Sequence, residues 1–175
     1  ELSLVGQGVV DLMNTIGSGS RLDKLLGPIP TGIERRTAGS GNCADKSACT
    51  FGILIQFYDV LFGGSDDFIR GTAVHELAHV IDSWGRVAVS GSSGRDNTLW
   101  PSLLFPGGTY ITDHAMTGGL TEYWAEAVTD WVYGGRYKGP YNSDRNPLSV
   151  NQADWIVRFL KGWVYCAPKF GHIAN

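Results

Sequence analysis

The chain has 175 residues, long enough for one domain with a real core, and its 43% hydrophobic and 18% charged residues mark it as globular. A net charge of −3 without a basic cluster argues against nucleic acid or an anionic membrane as partner, and no run of about 18 apolar residues exists to span a bilayer. The chain opens on Glu1-Leu2-Ser3 with no charged-then-apolar leader, which reads as a mature or excised domain.

Leu4, Val5, Val9, Leu12, Met13 and Ile16 recur at helical spacing and predict a helix from Leu2 to Thr15, ended by Gly17-Ser18-Gly19-Ser20. From there to Cys49 the chain is rich in Gly, Pro and Ser, with short apolar pieces at Leu22–Leu26 and Ile29, and predicts turns and short strands. Cys43 and Cys49 have a spacing that closes a small disulfide loop, suited to an oxidising compartment, the alternative being two unpaired thiols. Neither a Cys-x-x-Cys pair nor a nearby histidine suggests a metal there, and Cys166 is left to burial or to a partner elsewhere. Thr50 to Tyr58 is a β-branched and aromatic run, the best strand in the chain. It either borders a cleft, where an extended peptide can add as a further strand, or lies inside the sheet.

Gly63-Gly64-Ser65-Asp66-Asp67 then supplies a turn and capping side chains, and Phe68 to Trp84-Gly85 runs without proline. Ala73, Val74, Leu77, Ala78, Val80, Ile81 and Trp84 give this helix an apolar surface wide enough for burial. Gly85 to Thr117 lacks periodicity and reads as loop and cleft wall. A second helix carries Leu120, Trp124, Ala125, Val128, Trp131 and Val132 on its apolar face, with Thr117 or Thr121 as cap and Gly134-Gly135 as stop. Arg136 to Pro147 is turn-rich, and Ser149-Val150-Asn151-Gln152 forms a capping box that opens a last helix to about Gly162. The expected fold class is α+β, in one domain: residues 1–84 end in the long central helix, and 85–175 form a loop and a mainly helical part.

The chemistry is concentrated in Val74-His75-Glu76-Leu77-Ala78-His79. On a helix of 3.6 residues per turn, His75 and His79 stand one above the other, and both imidazoles can reach one tetrahedral metal at about 2.0–2.1 Å. Glu76, beside one ligand, is placed to take a proton from a metal-bound water. Two histidines need a third protein ligand, and the second helix offers Glu122, Glu126 and Asp130 at four-residue intervals on one face. One of these acids is expected to bind the metal and a second to accept the outer N–H of a ligand histidine.

His75-Glu76-Leu77-Ala78-His79-Val80-Ile81-Asp82, followed by Glu122-Tyr123-Trp124-Ala125-Glu126-Ala127-Val128, resembles the gluzincin peptidases related to anthrax lethal factor and the clostridial Pro-Pro endopeptidases. The resemblance covers two helices, about a fifth of the chain. It implies a zincin-like fold, a Zn2+ cofactor, Glu122 as third zinc ligand and Glu126 as its supporting partner. It also implies an oxyanion-stabilising tyrosine shortly before the ligand glutamate; here Tyr110 lies in that region and His114 stands nearer the expected place, where an imidazolium donates a hydrogen bond as a phenol does. A competing similarity remains: Asp130-Trp131-Val132-Tyr133-Gly134 is similar to the end of the aspzincin signature, which would make Asp130 the ligand, although Ala127-Val128 stands where that signature has Gly-Thr.

The expectation is therefore a secreted, monomeric zinc endopeptidase acting on peptide or protein substrates, with no nucleic-acid partner. Metal ligands are His75, His79 and Glu122, and the catalytic groups are Glu76 with His114 or Tyr110. A different class, a zinc-stabilised binding or toxin module without catalysis, would show a lost Glu76 or a closed four-ligand site. Tyr123, Trp124, Trp131 and Tyr133 read as core packing, and His172 as a surface residue.

Overall fold

A computed structural model describes residues 2–16, 32–40, 43, 45–90, 111–134, 147–150, 152–154, 156, 157 and 160, the side chains of Leu2 and of residues 84–90 excepted. Tyr110, Cys166, His172 and the apolar pieces at 22–29 lie outside the described residues.

The elements are α1 (Leu2–Ile16), β1 (Gly32–Arg36), β2 (Ala48–Phe51), β3 (Leu54–Tyr58), a 3-10 turn (Asp59–Gly63), α2 (Asp66–Ser90), α3 (Asp113–Gly118) and α4 (Leu120–Tyr133). The architecture is α+β, with a small sheet beside a group of helices. In the sheet, β3 is central, parallel to β1 and antiparallel to β2. The single strand expected over Thr50–Tyr58 is a hairpin. Gly52, at φ +61°, takes the left-handed conformation that a side chain resists, so the chain folds back there and Thr50 pairs with Ile55. This places β2, not β3, at the edge nearest the central helix.

Two helices also differ from expectation. α2 passes through Gly85 to Ser90, because a glycine weakens a helix without ending it. Inside the expected loop, Thr112 caps the six-residue α3 by accepting the Ala115 N–H at 3.0 Å, and Gly119 at φ +78° separates it from α4. The stop at Gly134 is a left-handed cap, φ 56° and ψ 46°, as the Gly-Gly signal implied. The capping box is present: Ser149 N–H donates to Gln152 Oε1 at 2.9 Å, and Gln152 N–H donates to Ser149 Oγ at 3.3 Å.

One core joins the parts of the chain on either side of residue 84. Leu12 and Ile16 from α1, Ile55 and Phe57 from β3, Ile69, Val74, Ala78 and Ile81 from α2, Trp124 and Val128 from α4, and Ile156 and Leu160 are all buried within it. Tyr133 Oη donates to Asp11 Oδ2 at 2.9 Å, tying the end of α4 to α1. Cys43 and Cys49 are joined by a disulfide that closes the loop into β2, with Cα atoms 6.4 Å apart. Among the described residues, no helix is long and apolar enough to cross a membrane.

α1 approaches α2 closely at Gly8, where an added Cβ would lie 2.6 Å from the Arg70 carbonyl oxygen; at Gly6 an added Cβ meets nothing within 4 Å. Gly6→Ala should therefore stabilise the protein by about 1 kcal/mol through helix propensity, and Gly8→Ala should destabilise it by about 1–3 kcal/mol by forcing α1 off α2. Urea unfolding of the two variants checks the opposite signs.

Candidate metal centre

The site begins with the way α2 starts. Ser65 Oγ accepts the Phe68 N–H at 3.2 Å, and Asp66 and Asp67 occupy the first turn, where the helix dipole favours negative charge. Once that phase is set, His75 and His79 follow on one face, a turn apart, with ring centroids 4.7 Å apart and ring planes nearly perpendicular. α4 is held against the same stretch by Trp124, whose indole N–H donates to the Ala78 carbonyl at 2.9 Å in the buried core. Glu122 and Glu126, one turn apart on α4, thereby meet the two histidines.

Short contacts follow. His75 Nε2 lies 3.0 Å from Glu122 Oε2 and 3.1 Å from His79 Nε2, and His79 Nε2 lies 3.3 Å from Glu122 Oε2. His114, the second residue of α3, brings its Nε2 to 3.0 Å from the same Glu122 oxygen. On the other side of its ring, His75 Nδ1 lies 3.1 Å from Glu126 Oε1. An ionised Glu126 accepts that N–H, so that when the other ring proton leaves, it is the Nε2 lone pair of His75 that faces the cluster. Within the described residues, His75, His114 and Glu122 form a group whose ligand atoms all fall within 4.8 Å of one another, close enough to hold one metal ion.

The charges respond to this crowding. Burial pushes His75 toward its neutral form, but hydrogen bonds to Glu122 and Glu126 outweigh it and hold its pKa well above the ordinary histidine value. Burial likewise pushes Glu122 toward protonation, and His114, His75 and His79 together overcome it, holding the carboxylate far below its usual range. Three imidazoles sharing one carboxylate oxygen is an arrangement suited to a cation at their centre.

Glu76 is buried, and Thr50 Oγ1 on β2 donates to Glu76 Oε2 at 2.6 Å. A cavity of about 290 Å³ reaches His75, Glu76 and His114 from Asp45, Lys46, Phe68 and Thr72. An adjoining one of about 240 Å³ reaches them from Cys49, Thr50, Ser83 and Thr121. A larger cavity, about 400 Å³, lies by Asp11, Arg70 and Tyr133 at the far end of α4 and holds no imidazole. Among the described residues β2 is an edge strand of the sheet, and its Cys49 and Thr50 line the cavity beside the cluster.

Of the residues singled out by sequence, the structure brings His75, Glu76, His79, His114, Glu122 and Glu126 together. Asp130 is buried two turns further along α4, where its Oδ2 accepts the Leu148 N–H at 3.5 Å, and it is not in the group of ligand atoms. Thr50 and Gly118 were not anticipated. A Cβ at Gly118 would overlap the Glu122 side chain, so that glycine makes room for the carboxylate. The Gly118-Gly119 pair was a visible signal for a break between helices; nothing local marks Thr50, whose role depends on strand register.

No protein-family model, curated protein or solved structure matches the chain.

The shifts dictate a pH dependence. His75, with a folded pKa above its unfolded value near 6.5, stabilises the metal-free protein below that pH, and this stabilisation is lost as pH rises through the folded pKa. Glu122, held below its unfolded value near 4.5, contributes above that pH and loses its contribution only as pH falls through the folded value. The cluster therefore contributes most to the metal-free protein between about pH 4.5 and 6.5. A divalent metal held by these residues would compete with the His75 proton, so its stabilising effect would grow in the opposite direction. Melting temperatures from pH 5.5 to 8 should show the metal-free protein weakening with rising pH and the gain from added zinc increasing; a zinc effect that is absent at pH 8 would count against the site.

Proposed function

We propose that this protein is a zinc-dependent endopeptidase of zincin-like type, secreted and acting on peptide or protein substrates. One observation carries the reading. His75 Nε2, His79 Nε2 and Glu122 Oε2 form a triangle with sides of 3.0, 3.1 and 3.3 Å. Ligands about 2.0–2.1 Å from a tetrahedral zinc are separated by about 3.3–3.4 Å, so the three donors have nearly the dimensions of one face of that tetrahedron. Their chemistry agrees: two imidazoles and a carboxylate, with a buried Glu126 supporting one imidazole from outside.

Bound zinc supplies Lewis acidity, lowering the pKa of a water to about 7 and polarising a carbonyl. Glu76 takes the proton of the attacking water on its carboxylate and later delivers it to the departing amine nitrogen. Glu126 keeps the His75 ring in the tautomer that presents Nε2. His114, at the rim of the same cluster, donates its ring N–H to the oxyanion that develops as the carbonyl carbon becomes tetrahedral. An extended peptide adds along the open edge of β2 through main-chain hydrogen bonds, which brings its carbonyl past Glu76. The disulfide at the start of β2 suits an extracellular setting.

A second reading has its own support: His114 Nε2 is as near to Glu122 as His75 is, so the metal could be closed by four protein ligands and serve only to tie α2, α3 and α4 together. The two readings part on two variants. Glu76→Gln should retain one zinc per chain while kcat falls about 10²–10⁴-fold; undiminished hydrolysis would refute the mechanism. His114→Ala should keep its zinc and lose kcat if the site is catalytic, and should release zinc and lose thermal stability if the site is a closed structural one. Metal content by emission spectroscopy and a peptide-library digestion read both.

A further inference from the structure

We propose that Thr50 is a positioning residue for the Glu76 carboxylate, linking the edge strand β2 to the general base. The inference rests on the reading of Glu76 given above and goes beyond it to a residue on another element. Thr50 Oγ1 lies 2.6 Å from Glu76 Oε2 and 3.2 Å from the Glu76 carbonyl oxygen. A hydroxyl carries one proton, and the shorter contact to the charged acceptor takes it, which makes this a charge-assisted bond.

The need for such a bond comes from the side chain itself. A glutamate that must meet one water has three rotatable bonds to restrain, and burial alone does not choose among its rotamers. Glu76 is 6% exposed, so its carboxylate has little bulk water to orient it. Fixing Oε2 on Thr50 leaves the second oxygen to receive a proton.

The partner is itself held firmly. Thr50 pairs with Ile55 of β3, and the preceding residue is Cys49 of the disulfide. Its side chain shares the face of the sheet that meets α2 with Ala48, Ile55 and Phe57, all buried. The position of Glu76 is thus referred to the same strand along which a substrate would lie. A merely structural threonine would be replaceable by valine, which has nearly its shape without the hydroxyl.

The test uses the full, zinc-loaded chain and a peptide selected from a library by the wild-type protein. Thr50→Val should lower kcat by about 10–100-fold, the equivalent of one hydrogen bond to a charged group, with KM and zinc content unchanged. Thr50→Ser, which restores the donor, should recover most of that loss. A second readout needs neither metal nor substrate: in urea unfolding of the metal-free protein, Thr50→Val should lower the midpoint in the wild-type background and have little effect beside Glu76→Ala. A Thr50→Val enzyme with wild-type kcat, or equal midpoint shifts in the two backgrounds, would overturn the inference. An active Glu76→Gln would overturn the base reading and the inference with it, whereas an inactive Glu76→Gln beside an unimpaired Thr50→Val would overturn the inference alone.

Discussion

The crossing of α2 and α4 brings together the histidine pair and the glutamate pair of the candidate metal centre. Small or branched residues of the two helices, Val74, Ala78, Ala125 and Val128, are all buried in the common core, and the helices lie in extensive contact. Trp124 fixes the register, because a buried indole N–H must find an acceptor and it finds the Ala78 carbonyl. Ala78 directly precedes His79, and Trp124 lies two residues after Glu122. A hydrophobic contact with one polar peg therefore determines that the histidine pair on one helix faces the glutamate pair on the other.

That contact carries an electrostatic burden. His75, Glu76 and Glu126 are buried, and Glu122 and His79 are largely so. Charges moved out of water cost several kcal/mol each unless they are paired and hydrogen bonded. Without a metal, the cluster meets the cost by pairing a protonated imidazole with carboxylates, as the raised His75 and lowered Glu122 indicate. A divalent cation held there would do the same with more charge at the centre and without the proton. The same cluster would thus have two ways of balancing charge, with proton and metal in competition for His75.

Much of this was legible in the sequence, for definable reasons. A helical period leaves a trace in a single chain, so α1, α2 and α4 could be read directly, as could His75 with His79 on one face and Glu122, Glu126 and Asp130 on another; which acids meet the histidines could not. Strand pairing leaves no such trace. The run Thr50–Tyr58 looks like one strand because β-branched residues continue on both sides of Gly52, and only the positive φ at Gly52 divides it. Thr50 follows from that error: its bond to Glu76 exists because the hairpin brings β2 over α2, and a side chain on an unassigned register cannot be placed. α3 was missed because six residues are less than two turns, too few to show a period.

His114 is where local structure bears most on function. Three donors of the cluster, His75, His79 and Glu122, stand on long helices that share the core. The fourth stands on α3, which is secured by the Thr112 cap and the buried Ala115 and is followed by Gly119 in a backbone conformation favoured only by glycine. The triangle and the extra histidine therefore stand on different elements that meet at Glu122. α3 nevertheless stays in touch with the triangle, since Gly118 at its end packs against the Glu122 side chain and His114 Nε2 lies 3.0 Å from the Glu122 oxygen, while Trp124 on Ala78 holds α4 against α2. On the catalytic reading proposed above, His114 would be the one donor carried by a short helix of its own, placed to meet a reacting substrate; on the structural reading it would be the fourth ligand tying α3 to α2 and α4.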